Sequence, residues 1–188
     1  PDNLTELRVM AIALDRDMYA HGFFFDVSLS GRGFIGGLGR IVKAGPALSF
    51  AMGYELAPWF YAYVGMDASM HQTDAPAPPA PSVVEVIDAV VGLRLQINAS
   101  ARAAVFIGGR FGLVWVMSDA PFAYGFRDFD TTGIMGGGEL GFDWHMRTRH
   151  HSFGIKAGAD VMPSLRAPQG DLAIAVHGEM YLRYVFGN

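Results

Sequence analysis

The sequence predicts an all-β protein, a single eight-stranded antiparallel up-and-down transmembrane β-barrel. Hydrophobic residues make up 51% of the 188 residues and charged residues only 17%, below the roughly 25% of an average soluble protein. No stretch approaches the about 18 consecutive apolar residues that a transmembrane helix needs. From about residue 21 onward, apolar and polar residues instead alternate with a period of two, which is typical of strands.

Eight alternating segments are separated by Gly, Pro, Asn, Asp or Ser residues that break strands. The connections alternate between tight ones near 56–57, 98–101 and 148–150 and long ones at 36–44, 71–83, 118–131 and 163–170. Short periplasmic turns and long extracellular loops follow this pattern in outer-membrane barrels. We therefore expect a periplasmic N-terminal segment over 1–20, where a short helix is favoured over a strand, and a barrel over 21–188. The predicted strands span 21–35, 45–55, 58–70, 84–97, 102–117, 132–147, 151–162 and 171–186.

Each predicted strand carries large apolar side chains on one face and charges or small residues on the other. The last strand shows this best, because His177, Glu179 and Arg183 share one face and no charge interrupts the opposite face. The apolar faces contain, in strand order, Phe25, Val27 and Leu29; Leu48, Phe50 and Met52; Phe60, Val64 and Met66; Ile87, Val91 and Leu93; Val105, Ile107 and Phe111; Ile134, Leu140 and Phe142; Phe153, Ile155 and Val161; and Leu172, Met180 and Leu182.

The charged face is predicted to line the barrel interior. Its other residues are mainly Gly, Ala and Ser, which fit the narrow lumen of eight strands, whereas the large side chains would overfill it. A soluble carrier with the opposite orientation would need a surface rich in Lys and Glu. In a membrane, each lipid-facing Arg or Lys near the midplane would cost about 2–4 kcal/mol. Together with Arg102, the predicted lumen charge network contains Asp26, Arg32, Asp67, Asp88, Arg94, Arg110, Glu139, Asp143, Lys156, Asp160, His177, Glu179 and Arg183.

The lumen charge network permits two interpretations. The charges could line an ion pathway, or they could pair with one another and plug the lumen, and their near balance of sign favours the plug. No cofactor and no metal site is predicted. The absence of cysteine excludes disulfides, thiolate ligands and thiol catalysis, while the net charge of −4 without a basic run argues against a nucleic-acid partner.

Aromatic residues point to contacts with lipid and with other molecules. Five of them lie near predicted strand ends, where barrels carry interfacial girdles: Trp59, Trp115, Trp144, Tyr184 and Phe186. Four more lie in the long connection 118–131, either as a partner-binding loop or as a cluster that folds over the barrel mouth: Phe122, Tyr124, Phe126 and Phe129. The Pro-rich connection 73–81 could project as a stiff spacer or be disordered.

The sequence offers little for catalysis. His150, His151 and Ser152 lie together at a predicted turn, but neighbouring strand residues point to opposite faces, so His151 and Ser152 cannot easily form a nucleophile and base pair. His145 and His177 fall on the inward face, where a hydrogen-bonded lumen histidine is the simpler interpretation. We therefore predict a protein that is not an enzyme, and a Ser/His pair facing the bilayer would contradict this.

Two segments resemble small OmpA-like and OmpW-like outer-membrane barrels. The first is 53–59 with Tyr63, Gly65 and Asp67, where Pro58 is expected to begin a strand, and the second is the aromatic-terminated final strand 181–186. Gly187 and Asn188 follow the phenylalanine that usually ends such chains. The resemblance covers about 21–188 and implies insertion by the barrel assembly machinery, contact with outer-membrane lipid and lipopolysaccharide, and prior removal of a signal peptide.

Family resemblance leaves the activity open, because members serve as anchors, adhesins, small-solute pores or lipid-modifying enzymes. The Ala-, Gly- and Arg-rich composition, which suggests a high-GC organism, adds a resemblance to barrels of myxobacterial gliding-motility complexes. We expect a non-enzymatic outer-membrane barrel that anchors or docks an envelope complex in motility or adhesion. A lipid-modifying enzyme or narrow solute channel is the alternative.

Overall fold

A computed structural model describes residues 22–74, 82–100, 102–126, 132–148, 150–166, 168 and 170–187. The expected N-terminal segment 1–20 and most of the Pro-rich connection lie outside these residues. Eight strands follow one another in chain order, and β1 pairs with β8 to close an antiparallel barrel. The strands are β1 Phe23–Ile35, β2 Gly45–Ala57, β3 Phe60–Gln72, β4 Val83–Asn98, β5 Ala103–Val116, β6 Gly133–His145, β7 His151–Met162 and β8 Ala173–Phe186.

The predicted fold class is confirmed, and every strand lies within two residues of its predicted bounds. The prediction that Pro58 begins a strand is wrong, because Pro58 and Trp59 form the turn between β2 and β3. Proline suits that position since it has no amide hydrogen to give the ladder and its fixed φ favours a turn.

The two ends of the barrel differ, and we name them by their connections. The turn end carries the short connections 58–59, 99–102 and 146–150, whereas the loop end carries the long ones. Short helices occur in three of the long connections, at Gly37–Arg40, Ala120–Ala123 and Pro163–Leu165. Within the residues that the structure describes, no helix combines the length and apolarity needed to cross a membrane.

The outer wall is apolar along all eight strands. Large side chains such as Leu140, Leu29 and Val91 are 65%, 62% and 56% exposed, respectively, while the inward positions between them are buried. A wall this apolar would expose far more contiguous hydrophobic surface to water than soluble proteins do. This inside-out pattern matches a barrel whose solvent is the bilayer, since its alternate residues face lipid.

The interior is filled by larger side chains than the sequence pattern predicted. We expected Gly, Ala and Ser between the charges, but buried aromatic and aliphatic residues also face inward. At the loop end they form an apolar cap, which we call the loop-end plug, made of Leu38, Ile41, Val42, Val84, Val86, Val114, Phe126, Met135, Met162 and Leu165.

Candidate functional site in the barrel interior

Four large aromatic rings fit in the narrow lumen because each of the four lies over a glycine on the neighbouring strand. Tyr63 pairs with Gly92, and Tyr181 pairs with Gly154, directly across the ladder. A Cβ added to either glycine would overlap the tyrosine ring. Two further inward pairs repeat this arrangement: Phe24 with Gly53, and Phe106 with Gly141. The absence of a side chain on one strand therefore makes room for a ring on the next.

Arg183 organises the charges nearest the turn end. Its guanidinium donates two hydrogen bonds of 2.8 Å to the carboxylate of Asp26 and lies 3.5 Å from Asp143. It also lies 4.3 Å from the centre of the Phe24 ring. Tyr181 donates its hydroxyl to Asp143, so this carboxylate receives both a charge and a hydrogen bond. These polar groups form one buried unit, made of Arg183, Asp26, Asp143 and Tyr181. Bidentate pairing with Asp26 fixes the guanidinium in it.

Glu139 lies near the centre of the lumen and binds three neighbouring side chains. Arg94 and Tyr63 each donate to its Oε1 at 3.1 Å, and the Lys156 ammonium lies 3.3 Å from its Oε2. Lys156 also reaches Glu179 at 3.1 Å. Arg94 is stacked over Phe106 at 3.8 Å from the ring centre. Arg94 is therefore held by both a carboxylate and an aromatic face.

Arg110 occupies the middle of the network with three partners. It donates to Asp160 through two nitrogens, to Asp67 at 2.9 Å and to the His177 ring at 3.2 Å. The other ring nitrogen of His177 is 3.6 Å from Glu179. Further toward the loop end, Arg32 contacts Asp88 at 2.5 Å.

The structure places all thirteen predicted network residues inside the barrel. Twelve are buried and Lys156 is nearly so, with a side chain 9% exposed. Arg102 is the exception to the inward assignment, because it lies in the β4–β5 turn and is exposed. Without it, the network holds seven carboxylates against five Arg and Lys side chains, so the predicted near balance of sign is off by two charges. The imidazole ring of His177 also lies beside two of these carboxylates, those of Asp160 and Glu179.

The lumen is closed along its length in the described part of the chain. The carboxylates of Asp88, Asp160, Glu139 and Asp143 have no exposed surface, and the loop-end plug covers the network from the other side. Ion pairs held this tightly block the pore as a set, because breaking one leaves a buried charge without its partner.

The aromatic loop is divided between the plug and the surface. Phe126 is 3% exposed and packs in the loop-end plug, so it offers no surface to a partner. Tyr124 is partly buried against the same cluster, whereas Phe122 is 40% exposed. Phe129 lies outside the described residues. Of the two interpretations of this loop, the shielding one therefore holds for Phe126, and Phe122 remains accessible.

Outward-facing aromatics concentrate at the turn end. Trp59, Trp144 and Phe186 are 59%, 49% and 53% exposed, and Tyr184 packs edge-on against Phe186 with ring centres 4.7 Å apart. Trp115 lies at the loop end, partly buried, and its indole donates to the Thr132 hydroxyl at 3.0 Å. These positions are where aromatic side chains meet the headgroup region in membrane barrels.

A serine and a histidine do meet, although not the pair adjacent in sequence. Ser152 points inward and shares a 2.9 Å hydrogen bond with His145, its direct partner across the β6–β7 hairpin, whereas His151 is exposed on the outer wall. Both members are buried in the lumen and neither faces lipid. The hairpin register around the turn 146–150 could have revealed this contact, because it sets the two residues opposite each other.

Comparison with solved structures agrees with the geometry. Neisserial surface protein A superposes with a TM-score of 0.64 at 12% identity, over 87% of this chain and 97% of that one. The fold is that of a small outer-membrane β-barrel. The outer membrane protein OprG from Pseudomonas aeruginosa gives a TM-score of 0.57 at 14% identity, over 90% of this chain and 98% of that one. No protein-family model matches the sequence. No curated protein matches it either.

Proposed function

We propose that the chain is a non-enzymatic integral outer-membrane barrel that does not conduct and that anchors or docks an envelope complex through its ends. The closed lumen carries this proposal. Arg183, Arg110 and Arg94 each bind buried carboxylates across the lumen, and the loop-end plug seals one mouth. A pore that passes ions needs binding sites that ions can enter and leave, whereas these charges are buried and form ion pairs with one another.

The proposal extends to location and partners. The apolar wall favours lipid and lipopolysaccharide as surroundings, and the aromatic end of β8 is a suitable signal for the barrel assembly machinery. We also propose that a signal peptide is removed from the protein before the barrel inserts. Motility, as in gliding complexes, and adhesion are the surface processes that we propose for the docked complex.

Conductance in planar bilayers tests the closed lumen. The purified barrel, shown to be folded by its heat-dependent shift in gel mobility, should give no stable channels. Reproducible single-channel steps would contradict the proposal.

Docking at the loop end is tested by photo-crosslinking in native membranes. A benzoylphenylalanine at Phe122, which is 40% exposed, should give a discrete adduct with an envelope protein. The same probe at Phe126, which is 3% exposed, is the matched control and should give none. Adducts with lipid alone at both positions would argue against docking through this loop.

A lipid-modifying enzyme is the second candidate, and the His145–Ser152 hydrogen bond is the observation that favours it. The burial of both residues leaves a lipid no approach to the hydroxyl, and we therefore rank this candidate lower. Treatment of the folded barrel with a fluorophosphonate should leave it unlabelled. Labelling that disappears in a Ser152→Ala variant would establish a reactive serine and reverse the ranking.

A further inference from the structure

We propose that a basic patch at the turn end binds the phosphate groups of anionic phospholipids in the adjacent leaflet. The patch, which we call the turn-end patch, consists of Arg102, Arg147, His150 and His151. This inference depends on the barrel spanning a membrane and is independent of whether it docks a protein complex.

The backbone brings two separate turns together to form this patch. The amide of His145 donates to the carbonyl of Arg102 at 2.8 Å, so the β4–β5 turn adjoins the end of β6. Arg147 follows two residues later, and the amide of Met146 donates to the carbonyl of His151 at 3.0 Å to close the β6–β7 turn. The two arginines therefore lie on neighbouring turns of one face.

Both arginines are exposed. In the described ranges, neither guanidinium lies within ion-pairing distance of a carboxylate. Glu55 is a further carboxylate near this end, but it lies half-buried on the inward-facing side of β2, four strands from β6, and has an interaction of its own. In contrast, Arg110 pairs with two carboxylates, and each of the other lumen cations lies within ion-pairing distance of at least one. An exposed guanidinium without a partner is free to bind a phosphate, whose geometry it matches with two hydrogen bonds.

The loop end has a different balance of charge. There, Arg40 pairs with Asp171, and Lys43 pairs with Asp74 at 2.9 Å. Arg166 is the third cation of that end among the described residues, and Glu85 and Asp119 add two further carboxylates. The described loop end therefore carries one more carboxylate than cations, which makes the turn end the better site for an anion.

Neighbouring aromatic rings place the patch at headgroup depth. Tyr184 lies between the two histidines, stacked on His150 at 5.6 Å and edge-on to His151 at 5.1 Å between ring centres. His150 also donates from its ring to the carbonyl of Val185 at 2.8 Å, which fixes it beside the wall. Because outward Tyr and Trp lie at the bilayer interface, the arginines next to Trp144 reach the level of lipid phosphates. A lipid headgroup is thus favoured over an acidic protein.

Fluorescence quenching by brominated lipid tests this proposal. Trp144 adjoins the patch, because its register partner Ala103 follows Arg102 directly. In a background where Trp59 and Trp115 are replaced by Phe, Trp144 is the single reporter. Vesicles of phosphatidylcholine would contain a minor fraction of brominated phosphatidylglycerol or, for comparison, brominated phosphatidylcholine. The direction of insertion does not affect the measurement, since each orientation brings the patch to one leaflet.

We expect brominated phosphatidylglycerol to quench Trp144 more strongly than brominated phosphatidylcholine. One basic residue near an anionic surface favours binding of anionic over neutral lipid about fivefold. Two arginines should therefore favour phosphatidylglycerol over phosphatidylcholine roughly 25-fold at low salt. Arg102→Gln with Arg147→Gln should abolish the preference, whereas Arg102→Lys with Arg147→Lys should keep most of it. Arg40→Gln at the loop end is the matched control and should change nothing.

Three results would overturn the proposal. One is equal quenching by the two brominated lipids, which is also the result expected if the patch binds an acidic protein. Another is a preference that survives in the Gln variant with its folding verified by gel mobility. The last is a preference that millimolar inorganic phosphate abolishes equally in the parent and in the Arg40→Gln control, and that added lipid does not restore. This result would assign the site to free phosphate.

Discussion

The contact between Gly154 and Tyr181 gives the sharpest test of how the lumen is built. Gly154→Ala adds one methyl group, and the backbone accepts it because Gly154 lacks a positive φ. The added carbon would overlap the Tyr181 ring, which must then move away from Asp143, the carboxylate that its hydroxyl binds. The change therefore disturbs both packing and a buried hydrogen bond.

The size of the effect follows from these two losses. Overpacking a dense interior by a methyl group costs about 1–3 kcal/mol. Losing a hydrogen bond to a charged group costs about 1.5–3 kcal/mol. Replacing a strand glycine by alanine returns about 0.5–1 kcal/mol. With middle values, we expect the free energy of unfolding to fall by about 3.5 kcal/mol, a large part of the 5–15 kcal/mol typical of a folded domain.

Urea-induced unfolding in lipid vesicles, followed by tryptophan fluorescence, measures this change. Gly178→Ala is the matched control, because Gly178 lies on the neighbouring strand and a Cβ there would meet no atom within 4 Å. The control should be neutral or slightly stabilising. In a Tyr181→Phe background the hydrogen bond is already lost, so Gly154→Ala should cost only the packing part, about 1–2 kcal/mol after the alanine gain. Equal stability of Gly154→Ala and Gly178→Ala would refute the reasoning.

Two further predictions use the same unfolding measurement. Arg183→Met leaves two buried carboxylates without their cation and should cost about 3–5 kcal/mol, whereas Arg40→Met breaks an exposed pair and should cost at most about 1 kcal/mol; similar losses would show that the lumen pairs are not buried in solution. Leu140→Arg, midway along the lipid-facing wall of β6, should cost about 2–4 kcal/mol, while Ile97→Arg near the turn end should cost about 0–1 kcal/mol. A cost independent of depth would mean that this wall faces water.

The strands and their faces could be predicted from the sequence because both depend on local pattern. Alternation with a period of two assigns Leu140 outward and Glu139 inward without reference to any other strand. Turn residues then mark where each strand stops. The apolar wall could be predicted as well, since a lipid-facing charge is costly at positions away from the two membrane interfaces.

The packing inside the lumen could not be predicted, because it depends on which residues the register places side by side. Alternation assigns Tyr63 to the inward face, where its ring looks too large for eight strands. The ring fits because the ladder puts Gly92 directly across from it. Arg102 shows the opposite failure, since it follows the alternation of β5 but lies one residue before that strand begins, where the turn directs it outward.

The loop aromatics were ambiguous for a related reason. Composition shows only that four rings lie in one connection, and a ring in a loop can either contact a partner or cover the barrel mouth. The structure assigns Phe126 to the mouth because it belongs to the same buried apolar cluster as Leu38 and Met135. Both surfaces come from other long connections and strands, so no local pattern announces the contact.

The distribution of charge connects the closed interior to the two ends. Charged groups inside the barrel pair with one another, as the three partners of Arg110 show, and the apolar wall of the described strands carries almost none. Electrostatic recognition of another molecule is therefore confined to the rims. At the loop rim, ion pairs such as that of Lys43 with Asp74 reduce the field available to an anion, and exposed Phe122 provides apolar surface instead. At the turn end, Arg102 and Arg147 have no carboxylate partner among the described residues, and Trp144 lies beside Ala103, the residue after Arg102. With the proposed turn-end patch, the barrel would have an exposed apolar residue at one end and an anion-binding contact at the other, the arrangement expected of the proposed anchor if lipid holds one end and a partner the other.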